Sequence, residues 1–144
     1  MCDAARVDAP NPDVRIDEAM KRAGLVWLRI DDRAASPRWH TWSDNRAYVL
    51  TGGIEQPPVE GIDRPSAAVE VTVATTDHAA CALTWPATVR AVAPGSDEWQ
   101  AAMPALRRER LNAPDGDGAP ARWERECSLF ALEPAGPPSN IAPA

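Results

Sequence analysis

The sequence predicts a mainly β protein, in which an antiparallel sheet of about six strands curls into a small barrel with helices on its outside. Two observations lead to this prediction. Strand-like segments with short turns between them follow one another from Leu25 to Val92. Apolar residues with the helical period occur in two segments, one before this region and one after it, and a last strand-like segment follows the second helix.

The first helix is predicted directly after the N-terminal segment, where Asp13 can cap it and Gly24 can end it. Its apolar face would consist of Ile16, Ala19, Met20 and Ala23. Residues 1–12 and 133–144 are rich in proline and alanine and lack any periodicity, so both are predicted to be flexible tails. The folded domain is therefore expected to span residues 13–132.

Six segments have the composition or the period of strands: LVWLRI, PRWHTW, RAYVLT, AAVEVTVAT, CALTWPATVRAV and CSLFAL. The first three are joined by turn-like residues, which predicts short antiparallel hairpins. In the fifth, Pro86 should bend the strand or place it at an edge.

The second helix should begin at Ser96, whose hydroxyl can cap it, and Asp97 and Glu98 suit its positive end. Its apolar stripe would consist of Trp99, Ala102, Met103 and Leu106. Pro104 removes a backbone donor, so a kink or two short helices are expected there.

Composition excludes several classes of protein. The net charge is -6 and Lys21 is the sole lysine, so a nucleic-acid or anionic-membrane surface is not expected. No apolar run approaches the roughly 18 residues that span a bilayer, and no N-terminal apolar segment resembles a secretion signal, so a cytoplasmic location is expected. The three cysteines lack metal or disulfide spacing, and the two histidines have no carboxylates at a spacing that suits metal ligands, so no metal site is predicted.

Three phrases of the sequence resemble a known family when they are taken in order. They are PRWHTWSDNRAYVLTGGIEQPPVEGI, TWPATVRAVAPGSDEWQAAMPALRRERLNAP and RWERECSLFALEP. Together they are similar to the flavin-binding split-barrel superfamily typified by pyridoxamine 5'-phosphate oxidase, in a branch of short actinobacterial-type proteins. The resemblance covers most of residues 13–134.

The resemblance implies a homodimer that binds FMN or a deazaflavin in a groove between subunits, with the phosphate held by strand and turn residues. The Thr51–Gly53 turn would be that phosphate site, since successive backbone N–H groups can surround an anion, although the same residues also suit a plain turn. The chain departs from the family where relatives carry a lysine or arginine. Here the loop offers Glu55, Glu60 and Asp63, which predicts a degenerate phosphate site.

The resulting candidate cofactor-binding residues are Arg38, Trp39, His40, Thr41, Trp42, Arg46, Thr51, Gly52 and Gly53. Arg38 and Arg46 could replace the missing cation, or be solvated residues beside strands. The tryptophans could stack on a flat ligand, with Trp39 on one face of the strand and Trp42 with His40 on the other, or could simply pack in the core.

The leading functional prediction is a split-barrel oxidoreductase with a flavin-type or deazaflavin cofactor, whose ring would carry the hydride. No side chain stands out as a catalyst. A cofactor-free or ligand-binding, non-enzymatic member of the same fold remains an alternative, as does haem handling through His40 or His78.

Overall fold

The computed structural model describes residues 12–74, 82–110 and 112–141. Its elements are α1 (Pro12–Arg22), β1 (Leu25–Ile30), β2 (Ser36–Trp39), β3 (Thr41–Ser43), β4 (Arg46–Gly52), β5 (Val69–Ala74), β6 (Ala82–Val92), α2 (Asp97–Glu109), α3 (Ala119–Glu126), β7 (Cys127–Pro134) and β8 (Ser139–Ile141). The strands form one antiparallel sheet. The prediction of a mainly β barrel with flanking helices is confirmed.

The order of strands in the sheet is β2-β1-β5-β6-β7-β4-β3, and β8 pairs with β6 outside this path. The two ends of the order, β2 and β3, are consecutive in the chain and are joined through His40 alone. The PRWHTW segment, which the sequence predicts to be one strand, is therefore divided between the two edges of the sheet. We call the line where these edges meet the seam of the barrel.

Gln56 bridges the seam with its side-chain amide. Its Oε1 accepts from the Trp39 backbone N–H at 2.8 Å, and its Nε2 donates to the carbonyls of Trp39 at 3.0 Å and Leu50 at 3.1 Å. Trp39 belongs to β2 and Leu50 to β4, so one buried side chain joins strands near the opposite edges of the sheet. The buried amide therefore supplies hydrogen-bond partners to backbone groups that would have none at an open sheet edge.

His40 lies inside the protein at the same seam and is 2% exposed. Its imidazole is hydrogen-bonded to the backbone of Met20 in α1, and its Nδ1 has no partner among the described residues. Burial lowers the pKa of His40 to about 4, since a charged imidazole would be removed from water. His40 is therefore neutral near pH 7 and ties the seam to the first helix.

The interior of the barrel is apolar and is completed by α1. Ile16 and Met20 of this helix are fully buried there, as the predicted stripe requires. The strands contribute Val26, Leu28, Ile30, Val49, Val69, Val71, Val73, Leu83, Trp85, Phe130 and Leu132. Val59 and Ile62 of the loop after β4 join the same core, so that loop packs against the barrel.

A second core lies on the outside of β4 and β7, where α2 and α3 pack. It includes Tyr48, Leu50, Val92, Trp99, Met103, Leu106, Trp123 and Leu129. Because helices cover one face of β4 and the barrel interior covers the other, residues 47–51 are all buried. The alternation predicted for this strand is absent for that reason.

The second helix begins as predicted, with the Trp99 N–H donating to the Ser96 hydroxyl at 3.2 Å. It does not divide at Pro104 but continues from Asp97 to Glu109. Pro104 is exposed, so water can reach the carbonyl that the proline leaves without its intrahelical donor.

Two segments near the C-terminus differ from the sequence prediction. The segment directly before β7, for which the sequence predicts no helix, is the short helix α3. This helix buries Trp123 against β7. The chain after residue 132, predicted to be a flexible tail, continues β7 to Pro134 and adds β8 along β6. The N-terminal tail up to residue 11 lies outside the described residues, and Pro12 already belongs to α1.

We predict that Gln56→Leu lowers the free energy of unfolding by about 2–4 kcal/mol, because it leaves an N–H and two carbonyls at the seam without their partners. Chemical unfolding of the purified protein measures this change. Gln100, the other glutamine, is exposed on α2, so Gln100→Leu serves as the control and should change stability by less than about 0.5 kcal/mol. Equal effects of the two substitutions would contradict a role for Gln56 in closing the barrel.

We also predict that stability falls by about 2 kcal/mol between pH 7 and pH 5 through His40. The pKa of His40 is about 4 in the folded protein, against an ordinary histidine value of 6.5, so in this window the unfolded chain binds a proton that the folded protein excludes. Unfolding by urea at both pH values should show this loss in the wild type and a smaller one in His40→Gln. The pKa of Glu98, about 2, and the lowered pKa values of Glu55 and Glu133 keep these carboxylates charged at pH 5. An unchanged pH dependence in His40→Gln would refute the prediction.

Candidate functional site

The Thr51–Gly53 turn is closed by its own backbone. Gly52 donates its N–H to the carbonyl of Gln56 at 2.7 Å, and Glu55 donates to the carbonyl of Gly52 at 3.0 Å. Gly52 and Gly53 both have positive φ, and a Cβ on Gly52 would lie 3.0 Å from the carbonyl oxygen of Glu126. The two glycines therefore allow the turn to pack against the end of α3, and the Gly52 N–H is engaged within the turn.

Glu55, directly after this turn, is a buried carboxylate surrounded by donors. It accepts from Arg110 at 2.6 Å, from Arg122 at 3.0 Å and from the indole N–H of Trp123 at 3.0 Å, and its side chain is 0% exposed. Burial acts to raise the pKa of Glu55, but these donors outweigh it and hold the pKa below its usual value. The carboxylate is thus a structural link between the turn, α3 and the end of α2.

The other carboxylates of this loop are not a uniform negative surface. Glu60 pairs with Arg33 at 3.0 Å, and Arg64 of the same loop pairs with Asp31, which follows β1. The sequence prediction treated Glu55 and Glu60 as charges without nearby cations, but both have arginine partners that are distant in the sequence. Electrostatic repulsion of an anion by these two residues is correspondingly reduced.

Trp39 borders an open pocket of about 400 Å³ beside the glycine turn. The residues that line this Trp39 pocket are Trp39, Ile54, Glu55, Gln56, Glu109 and Arg110. The Gln56 amide is hydrogen-bonded to the backbone of Trp39, and Arg110 donates to Glu55. Hydrogen bonds therefore fix the Trp39 wall and the Arg110 wall of the pocket. An indole with an apolar neighbour such as Ile54 can bind the face of a planar ring.

The structure separates the aromatic residues that the sequence places together. Trp39 packs against the outer core, whereas Trp42 packs against the interior core, as the strand alternation predicted. Trp42 donates to Asp17 at 2.7 Å and meets Trp85 edge to face, with ring centroids 5.9 Å apart. His40 is buried at the seam, whereas Trp39 lines the pocket beside the glycine turn.

The remaining candidates are two buried threonines and two arginines. Thr41 and Thr51 lie in strands that the cores cover. Arg46 donates to Glu133 at 2.6 Å and to Asp44 at 3.0 Å, so it belongs to a surface network rather than to the turn. Arg38 is 7% exposed and lines a different pocket, on the side of β2 opposite to Trp39.

Sequence reasoning missed the residues that shape the Trp39 pocket from a distance. They are Arg110, at the end of α2, and Gln56, in the loop after β4. Neither residue type has a distinctive spacing here, and their partners lie up to 55 residues away, so no local pattern indicated them.

A further polar network lies on the outer core. The Tyr48 hydroxyl donates to Glu98 at 2.8 Å, and Arg90 binds the same carboxylate through two bonds of 2.6 and 2.9 Å. These contacts lower the pKa of Glu98 to about 2. The network fixes the start of α2 against the sheet.

Two negative findings concern the described residues. No group of three histidine, cysteine or carboxylate side chains is placed to hold a metal ion there. None of the helices in those ranges has the length and apolar character that crossing a membrane would require. His78, the second histidine considered for haem, lies outside the described residues.

Comparison with known proteins gives matches at the level of three-dimensional structure. No known sequence family matches the chain, and no curated protein matches it in sequence. The conserved hypothetical protein Rv2991 of Mycobacterium tuberculosis is similar with a TM-score of 0.66 and 10% identity, over 95% of this chain and 88% of that one.

Two other solved structures are also similar to this chain. HutZ, the haem storage protein of Vibrio cholerae, gives a TM-score of 0.61 at 16% identity, over 90% of this chain and 92% of that one. An F420 reductase gives a TM-score of 0.58 at 15% identity, over 85% of this chain and 94% of that one. At these identities the likeness establishes the fold alone, a split barrel with flanking helices.

Proposed function

We propose that this protein binds a flavin-type cofactor, with a deazaflavin favoured over FMN, and uses it for a two-electron reduction. The observation that supports this proposal most is the Trp39 pocket, where an indole and Ile54 face a volume of about 400 Å³ beside the glycine turn. That volume is in the range of pockets that hold cofactor-sized ligands. The split-barrel fold shared with an F420 reductase supports the same class of ligand.

The preference for a deazaflavin comes from the charge at the turn. The arginines near Glu55 are paired with carboxylates, and the Gly52 N–H is engaged by Gln56. A dianionic phosphate monoester such as that of FMN would need a cation at this place, whereas the phosphodiester of a deazaflavin cofactor has one negative charge.

In this proposal the chain binds and orients the cofactor, and the cofactor supplies hydride transfer. Trp39 and Ile54 would contact the ring, while Gln56 and Glu55 keep Trp39 and Arg110 in position. Haem binding through His40 is not proposed, because that imidazole is 2% exposed and bonded to the backbone of Met20.

A second candidate function is that of a cofactor-free or ligand-binding split-barrel protein without enzymatic activity. The glycine turn favours it, since the Gly52 N–H is used internally and a Cβ at Gly53 would lie 3.1 Å from the Glu126 carboxylate. These contacts give the turn a packing role that needs no ligand. The absorption spectrum of the freshly purified protein distinguishes the candidates, because bound flavins and deazaflavins absorb visible or near-ultraviolet light.

We further propose that the protein is a homodimer in which a second copy covers the outer face of β1. Leu25 and Trp27 are 52% and 46% exposed on this face, and Leu25 pairs across the sheet with Trp39. Apolar side chains of this size are enriched where subunits meet. The covered face would be continuous with the Trp39 pocket, so the partner would complete the groove.

Titrations of the protein with a deazaflavin and with FMN, measured by fluorescence quenching, should show tighter binding of the deazaflavin. We predict that Trp39→Leu weakens this binding about tenfold, since it removes the aromatic wall of the pocket. Val14→Ala, at an exposed position on α1, is the control and should bind like the wild type. Equal affinity of Trp39→Leu and the wild type would contradict the proposed site, and failure of both cofactors to bind would favour the second candidate.

Light scattering during size-exclusion chromatography at micromolar concentration should return the mass of a dimer. We predict that Trp27→Glu shifts the protein to a monomer, because it places a charge in the apolar interface. Val14→Glu introduces the same charge at another residue that is 46% exposed and should leave the dimer intact. A wild-type monomer would rule out the proposed groove between subunits.

A further inference from the structure

Arg38 is a buried arginine whose hydrogen-bond acceptors are neutral. It lies on β2 and is 7% exposed. Its Nε donates to the hydroxyl of Ser36 at 3.2 Å, and a terminal nitrogen donates to the carbonyl of Pro57. The bond to Pro57 attaches the loop after β4 to the strand, whereas Ser36 lies on β2 itself, and neither acceptor neutralises the positive charge.

The ion pairs formed within residues 12–74, 82–110 and 112–141 do not include Arg38. The contrast with Arg46 and Arg122 is clear, since each of these binds carboxylates. Burial also lowers the pKa of Arg38, which reflects the cost of removing the guanidinium from water. A buried charge without a counter-charge is costly, and an anionic ligand would reduce that cost.

Arg38 borders a pocket of about 300 Å³ whose walls combine apolar residues with polar ones. Leu28, Ile30 and Val59 are the buried apolar residues of this Arg38 pocket. Arg33 and Glu60 also line it and form a pair at 3.0 Å, with side chains that are 45% and 82% exposed. Because the charges of this pair cancel, the net charge of the pocket is that of Arg38.

We propose that the Arg38 pocket binds a small carboxylate with an apolar body, such as an aromatic or short aliphatic acid. The planar guanidinium matches a carboxylate in shape and can bind it through two parallel hydrogen bonds. The apolar walls would hold the body of the ligand, and the volume is at the lower end of ligand pockets. The Arg38 and Trp39 pockets have no lining residue in common, so the two proposed sites are independent.

The charge of the pocket favours a monoanion over inorganic phosphate. Glu60 lies at the pocket together with Arg33, so a doubly charged anion would meet one carboxylate as well as the two arginines. A carboxylate with an apolar body also gains from burial against Ala34 and Pro58, the exposed apolar residues of the pocket, which inorganic phosphate cannot do.

Calorimetric titration of the full chain with benzoate, benzamide and inorganic phosphate tests the proposal. We expect benzoate to bind at least tenfold more tightly than its neutral isostere benzamide and than phosphate. Arg38→Met should reduce benzoate affinity at least tenfold, because it removes the charge but keeps a side chain of similar length. Arg29→Met is the control, since Arg29 is half-exposed on β1 beside Glu70 and does not line the pocket.

A second variant keeps the test decisive if Arg38→Met does not fold. Glu60→Gln removes a charge from an exposed side chain and should strengthen benzoate binding about two- to fivefold by leaving Arg33 to act with Arg38. Equal binding of benzoate and benzamide, or benzoate binding that neither variant changes, would overturn the proposal. Tighter binding of phosphate than of benzoate would also overturn it, because the ligand would then be a different class of anion.

Discussion

The hydrogen bonds of Gln56 across the seam are the constraint on which the arrangement of this protein depends. The barrel order places β2 and β3 at opposite ends of the sheet, although one residue separates them in the chain. Gln56 joins Trp39 to Leu50 and so brings the two ends together. The same loop continues through Val59 and Ile62 into the interior core. Closure of the barrel and packing of the loop therefore depend on the same segment of the chain.

Ion pairs between arginines and carboxylates connect the helices of this protein to its sheet. Glu55 connects the turn after β4 with Arg110 at the end of α2 and with Arg122 in α3. Glu98 and Glu133 connect α2 and β7 with Arg90 of β6. Planar guanidinium groups can bind carboxylates through several bonds at once, which suits contacts that must fix helices against a sheet. Ten carboxylates within the described residues take part in ion pairs of this kind or with Lys21.

The two candidate pockets lie on opposite sides of β2. Strand alternation sends Arg38 toward the barrel interior and Trp39 toward the outer core, so adjacent residues serve different pockets. Gln56 and Pro57 of the loop contact these same two residues, Gln56 through the backbone of Trp39 and Pro57 through the Arg38 guanidinium. A change in this loop would consequently be felt in both pockets.

The sequence alone determined most of the strands, the first helix, the Ser96 cap and the alternation of Trp39 and Trp42, because these follow from local periodicity and capping. It indicated Trp39 and the glycine turn as parts of a site, but not their partners. The tertiary structure decided the division of PRWHTW at His40, the burial of both faces of β4 and the strand after residue 138. It also decided that Glu55 is neutralised by Arg110 and Arg122, which are 55 and 67 residues away in the chain. Charge and burial at a residue depend on what the whole fold brings beside it, and a local pattern contains no information about such distant neighbours.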